Sequence, residues 1–165
     1  MAVILIGGGS RSGKSRYALE LARQRGARPV FLATAQALDG DMAERIRKHR
    51  EERGDGFVTL EEPLELAAAL RALPDCDTVV VDCLTLWVSN LMLAGRAIPA
   101  EEVIAAARAT AATVVFVSNE VGCGIVPENA LARQFRDLAG ALNQRVAAAA
   151  DEVYWMVFGI PVKVK

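Results

Sequence analysis

Histidine is almost missing from this sequence: His49 is the sole imidazole in 165 residues. A zinc site built mainly from histidines is thereby excluded. Cysteine is scarce as well. Cys76, Cys83 and Cys123 are odd in number and too far apart for a Cys-x-x-Cys pair, which argues against a disulfide framework and for reduced thiols in a cytoplasm. Charge of one sign is lacking too. Nineteen basic and 20 acidic residues leave a net charge of -1, which gives no general attraction for nucleic acid or an acidic membrane, so any anion site must be local. No apolar run is long enough to span a bilayer: residues 79–93 include Asp82 and Asn90 and are too few. The apolar opening, residues 1–6, has no basic region and is only a strand long before the glycines begin, so it does not read as a signal peptide. Repeats, low-complexity tracts and dividing linkers are also missing. The expectation is a cytoplasmic protein of one domain, residues 1–165, with neither a nucleic-acid partner nor membrane insertion.

What is present is apolar and alternating. Apolar residues make up 53% of the chain, enough for a sizeable core. Short β-branched runs at residues 3–7, 29–34, 78–82, 113–118 and 153–157 predict strands. Their apolar character is continuous rather than alternating, as suits strands of a parallel sheet covered on both faces. Between them, residues 14–24, 39–53, 64–73, 84–93, 100–112 and 131–149 read as helices. Pro99 before Ala100-Glu101-Glu102 marks a helix start, with acids near the positive end of the dipole. Residues 57–60 predict one further short strand, and residues 159–165 an edge strand or tail, since Pro161 is unsuited to a central position. The pattern is α/β with right-handed crossovers and a mostly parallel sheet.

The chemistry is concentrated after the first strand. Gly8-Gly9-Ser10-Arg11-Ser12-Gly13-Lys14-Ser15 satisfies GxxxxGK[ST], with an apolar strand before it and helical sequence after it. Glycines let the backbone curl so that successive N–H groups face phosphate oxygens, and the following helix adds its positive end. In such a loop Lys14 bridges the terminal phosphates and the Ser15 hydroxyl ligates Mg²⁺. The run Thr78-Val79-Val80-Val81-Asp82 ends in a carboxylate suited to the same metal, although an Asp there also begins a turn or caps the next helix. Glu120, after the strand at 113–118, is a weaker candidate for water or metal contact, because ligands of open α/β sheets collect at strand ends.

His49 supports two readings. Met42, Ile46, His49 and Arg53 share one helical face, which makes the imidazole the polar fringe of an apolar stripe. Arg45, Arg50 and Arg53 also surround it with cations suited to phosphate, and they disfavour imidazolium, leaving a neutral nitrogen able to attack phosphorus. Spacing does not choose between them.

The chain resembles the bifunctional adenosylcobinamide kinase/adenosylcobinamide-phosphate guanylyltransferase family of cobalamin biosynthesis, almost end to end. The resemblance rests on the glycine-rich loop through Arg16, on Ala33-Thr34-Ala35, on Arg45-Ile46-Arg47-Lys48-His49-Arg50 and on Asp82-Cys83-Leu84-Thr85. The more specific stretches are Asn119-Glu120-Val121-Gly122-Cys123-Gly124-Ile125-Val126-Pro127, Phe135-Arg136-Asp137 and Asn143-Gln144-Arg145. It implies a RecA-like P-loop NTPase fold, a homotrimer, and two reactions. A terminal phosphate of ATP or GTP passes to adenosylcobinamide. GTP then leaves GMP on a histidine, by this match His49, and adenosylcobinamide phosphate takes it to give adenosylcobinamide-GDP. Nucleotide contacts are implied at residues 8–15, at Ala33, Thr34 and Ala35, at Arg50, Glu51, Glu52 and Arg53, and at Glu61 and Asp82. Glu61 is suited to accept hydrogen bonds from a guanine edge, with Glu62 as its neighbour should the register differ by one. A small-metabolite kinase with a structural His49 shares the loop and is the nearer alternative. A nucleotide-driven switch or assembly ATPase is the more distant one, since the chain has no long insertion for a partner.

Overall fold

The computed structural model describes residues 1–36, 44, 47 and 54–165. Seven strands form one sheet: β1 (Val3–Gly8), β2 (Pro29–Ala33), β3 (Val58–Glu61), β4 (Thr78–Asp82), β5 (Thr113–Val117), β6 (Glu152–Val157) and β7 (Ile160–Lys163). Their order is β3-β2-β4-β5-β1-β6-β7, parallel except for the last pair. Among the described residues the continuous α-helices are α1 (Lys14–Arg25), α2 (Leu66–Arg71), α3 (Leu84–Leu93), α4 (Ala100–Ala109) and α5 (Ala130–Ala149).

The unbroken apolar runs follow from this layering. Val3, Leu5, Val79, Val81, Val114 and Phe116 face the layer formed by α2 to α5. Their neighbours Ile4, Ile6, Val80, Val115 and Val117 face the opposite way, with Ala18, Leu19, Leu21 and Ala22 of α1. Because strand side chains alternate between faces and both faces are covered, every position of a central strand has to be apolar. Trp87 is fully enclosed, its indole N–H donating to the Leu64 carbonyl at 2.8 Å.

Element ends have local causes. Asn129 caps α5, its side-chain oxygen accepting from the Ala132 N–H at 3.1 Å. The expected helix 100–112 ends at Ala109. Thr110 turns to an extended backbone there, and its hydroxyl accepts from the Ala112 N–H at 3.3 Å, so the side chain competes with further helix. The predicted strand at 57–60 lies one residue later, at Val58–Glu61, on an exposed edge. Residues 160–163 form the other edge, where Pro161 is tolerated. Of the helix predicted at 39–53, the described residues Glu44 and Arg47 are helical, with Arg47 Nε donating to Glu44 at 2.9 Å.

One polar cluster ties the last two strands to α1. Tyr154 donates its hydroxyl to Glu152 at 2.6 Å, Arg25 donates to the same carboxylate at 2.7 Å, and Lys163 lies 3.3 Å away. The Tyr154 hydrogen bond, followed by those from Arg25 and Lys163, pushes the Glu152 pKa from 4.5 to about 2. A depressed carboxylate stabilises the fold above its unfolded pKa and loses that contribution as pH falls through the folded value. Wild type and Glu152→Gln should therefore differ in thermal midpoint by a constant amount above about pH 5 and converge as pH approaches 2. A gap that persists at the acid end would assign the difference to packing.

Candidate active site

All central strands run in one direction, so their carboxyl ends meet at one edge of the sheet, where ligands of such sheets collect. The register sets the residues there. Ala33 is paired with both Glu61 and Asp82, Asp82 with Val117, and Val117 with Ile6. Three of the expected contacts, Glu61, Ala33 and Asp82, thus stand in one row across β3, β2 and β4. The glycine-rich loop rises from β1, two strands further on.

The loop's shape depends on its glycines at two places. Gly8 has φ 146° and Gly13 φ 92°, both in the region that L side chains rarely adopt. A Cβ at Gly8 would also lie 2.8 Å from Ser12 Oγ and 3.1 Å from the Met156 carbonyl oxygen. Lys14 begins α1 and is only 7% exposed. Its ammonium donates to the Gly9 carbonyl at 2.5 Å and lies 3.5 Å from Ser12 Oγ, so it lies across the loop that precedes it. Burial lowers its pKa, while Cys83 and Asp82 act in the opposite direction. The Cys83 thiol is itself pushed up to about 12 by burial, which makes it inert. Among the described cysteines, all are free thiols.

The wall beside Asp82 is built from paired polar groups. Thr34 is fully enclosed, its hydroxyl donating to the Cys83 carbonyl at 2.7 Å and accepting from the Cys83 N–H at 2.8 Å. Asn90 of α3 donates to the Thr34 carbonyl at 2.8 Å. Thr34, expected as a nucleotide contact, is therefore inside the wall, with Ala33 and Ala35 half-buried on either side of it. Glu62 accepts from the Leu64 and Glu65 N–H groups at 2.9 and 2.8 Å, a turn-forming role. Its neighbour Glu61 is exposed at the row's end.

The segment after β5 is fastened at its root. Ser118 donates to Asn143 Oδ1 at 2.6 Å, Asn143 Nδ2 donates to the Asn119 carbonyl at 3.2 Å, and the Asn119 N–H donates to Thr85 Oγ1 at 2.7 Å. Glu120 follows, its N–H donating to the Gly8 carbonyl at 3.0 Å and its carboxylate accepting from the Gly122 N–H at 2.5 Å. The specific motif around residues 119–127 thus touches the loop at Gly8, while residues 122–126 are exposed. His49, Arg50, Glu51, Glu52 and Arg53 lie outside the described residues.

One participant was not foreseen. The β6–β7 hairpin turns through Phe158 and Gly159, at φ 52° and 82°, a two-residue turn with both positions left-handed. Its tip reaches the loop: a Cβ at Gly13 would lie 3.3 Å from Gly159 Cα. The signal was a glycine between two apolar runs, which marks a turn but does not show what the turn will meet.

The family model for cobinamide kinase / cobinamide phosphate guanyltransferase (CobU) matches residues 4–164. The chain belongs to this family. Among curated relatives, the bifunctional adenosylcobalamin biosynthesis protein CobU of Salmonella typhimurium is 44% identical, covering 99% of both chains. The bifunctional adenosylcobalamin biosynthesis protein CobP of Pseudomonas aeruginosa is 42% identical over 98% of this chain and 96% of its own. The fold of this cobinamide kinase / cobinamide phosphate guanyltransferase family member is that of RecA-like P-loop NTPases, as the resemblance implied. The ATPase domain of G40P superposes with TM-score 0.53 at 12% identity, covering 93% of this chain and 68% of that one. The P4 protein from bacteriophage phi6 in complex with ADP also gives 0.53, at 15% identity, over 98% of this chain and 54% of that one. Among the described residues no helix is long and apolar enough to cross a membrane.

Proposed function

We propose that this chain is a bifunctional enzyme that phosphorylates adenosylcobinamide and then caps the product with GMP. The match over residues 4–164 carries the choice of reactions and substrates, and the buried lysine lying across its glycine loop, coupled to Asp82, supports the phosphate chemistry. In the first reaction the substrate hydroxyl attacks the γ-phosphorus of ATP or GTP, and the bond to the nucleoside diphosphate breaks. The backbone N–H groups of residues 8–15 and Lys14 hold the phosphates and stabilise the charge that develops on the transferred group. In the second, the His49 nitrogen attacks the α-phosphorus of GTP and pyrophosphate leaves. A phosphate oxygen of adenosylcobinamide phosphate then attacks the same phosphorus, releasing the histidine and giving adenosylcobinamide-GDP.

Mg²⁺ fits the donors present. A serine hydroxyl and an aspartate carboxylate are hard oxygen ligands, and among the described residues no cluster of three or more His, Cys, Asp or Glu forms a cage of its own. Magnesium is held in that way, by one or two protein groups plus substrate phosphates and water. Ser15 and Asp82 would hold it; when bound it neutralises charge on the phosphate oxygens. Ala33, Ala35 and Glu61 are assigned to the nucleotide together with Arg50, Glu51, Glu52 and Arg53, with Thr34 fixing the wall behind them and Glu61 facing the guanine edge. A homotrimer in the cytoplasm completes the reading.

The test is to incubate the protein with Mg²⁺ and GTP labelled at either the α- or the γ-phosphate, then denature it. The expected result is acid-labile label retained from the α-position only. A protein that binds GTP yet retains no label from it would reduce the assignment to the kinase reaction.

A further inference from the structure

A cleft of about 690 Å³ opens beside the phosphate loop, between the first turns of α1 and the tip of the β6–β7 hairpin. Arg11, Ser12, Gly13 and Ser15 line it on the loop side, and Phe158 and Gly159 on the other. Arg16 spans the two, its guanidinium 3.7 Å from where a Cβ on Gly13 would lie and 3.4 Å from the same position on Gly159. Among the described residues, Arg11 and Phe158 are the non-glycine residues with positive φ, at 54° and 52°, and both line this cleft. At Phe158 the positive φ belongs to the first position of the hairpin turn, one usually filled by glycine, asparagine or aspartate. For Phe158 it brings no packing in return, since the side chain is 97% exposed. An aromatic ring held out at the mouth of a cationic cleft, next to a phosphate loop, matches the chemistry of a nucleotide: a flat π-face joined to an anion.

We propose that this cleft seats the base and ribose of the nucleoside triphosphate used in the phosphoryl-transfer step, with Phe158 as the face on which the base stacks. The assignment rests on the kinase reading of the loop. It also separates two base positions. Glu61 stands across four strand spacings from β1, about 19 Å away on the far side, so a guanine read by Glu61 and a base stacked on Phe158 approach the loop from opposite directions.

The experiment measures phosphoryl transfer with the full chain and its Phe158→Ala and Phe158→Trp variants, with inorganic tripolyphosphate as a competitive inhibitor that has no base. Removing a stacking face weakens binding by about 5- to 150-fold. KM for the triphosphate should rise by that factor in Phe158→Ala, with kcat within about twofold, and return toward wild type in Phe158→Trp. The inhibition constant of tripolyphosphate should not change. Because the ring is exposed, the thermal midpoint should stay where it is. An unchanged KM overturns the cleft assignment and leaves the loop reading intact. A parallel loss of tripolyphosphate affinity overturns it as well, since the hairpin would then act by shaping the loop. If tripolyphosphate fails to compete in the wild type, the loop reading itself fails and the cleft with it.

Discussion

Replacing Lys14 by methionine should lower phosphoryl transfer to adenosylcobinamide by about 10²- to 10³-fold or more, the usual loss when one preorganised charge-stabilising donor is removed. The reason lies in where the ammonium is kept. It is 7% exposed and hydrogen-bonded to the Gly9 carbonyl of the loop that it serves, so the charge is already near the phosphate position before substrate arrives. Holding it there is unfavourable to the fold, because burial lowers its pKa below the ordinary 10.5. With the folded value below the unfolded one, the penalty is full below the folded pKa and fades as pH rises toward 10.5. The methionine variant should therefore unfold at the same temperature as wild type or higher, while being nearly inactive. Activity and stability moving in opposite directions is the signature to look for, using γ-labelled triphosphate for the one and thermal unfolding near pH 7 for the other. Activity within tenfold of wild type would remove Lys14 from the mechanism. Arginine should rescue poorly, since a planar fork does not replace a compact point charge in an enclosed position.

His49→Ala should abolish label transfer from α-labelled GTP and formation of adenosylcobinamide-GDP, with kinase activity persisting. A nucleotidyl transfer by double displacement needs a nucleophile that forms and then releases a bond to phosphorus, and loss of that atom leaves no partial route. The kinase step has no such need, because the substrate hydroxyl is itself the attacking group and the protein contributes position and charge. The two activities are measured on one preparation, so unequal loss is read directly. Retained α-label in the variant would assign the nucleophile elsewhere. Loss of both activities in a folded variant would remove the division of roles.

How far the fold was legible depended on burial. Val79, Val80 and Val81 are fully enclosed because both faces of β4 are covered, and that double burial is what an unbroken β-branched run records. The edge strand β3 has little such record: Val58, Thr59 and Glu61 are exposed, and its position was expected one residue early. Helix 100–112 was drawn too long, because alanine periodicity continues past the point where the Thr110 hydroxyl turns the backbone away. The strand-to-helix turn at the glycine-rich loop and the end of β4 at Asp82 were legible because both are local patterns. Thr34 was expected at the nucleotide from the resemblance alone, and nothing local records that its hydroxyl would pair with the Cys83 backbone. The approach of the β6–β7 turn to the loop was not foreseen, because no sequence pattern records which strand ends will be neighbours. The role of His49 came from the resemblance and from no spacing rule.

The strand that carries the phosphate loop has its partners far along the chain. Val3 pairs with Val114 and Ile4 with Glu152, so β1 has no sheet neighbour until β5 and then β6 have been made. During synthesis the loop's residues leave the ribosome before the strands that flank β1, and acquire a fixed shape only after them. Pairings this distant carry a large loop-closure entropy and form late. A nucleotide therefore has nothing to bind on a half-made chain, and its stabilising effect is confined to molecules whose sheet has closed. Ligand added to a refolding reaction should accordingly slow unfolding and leave the rate of the main folding step unchanged.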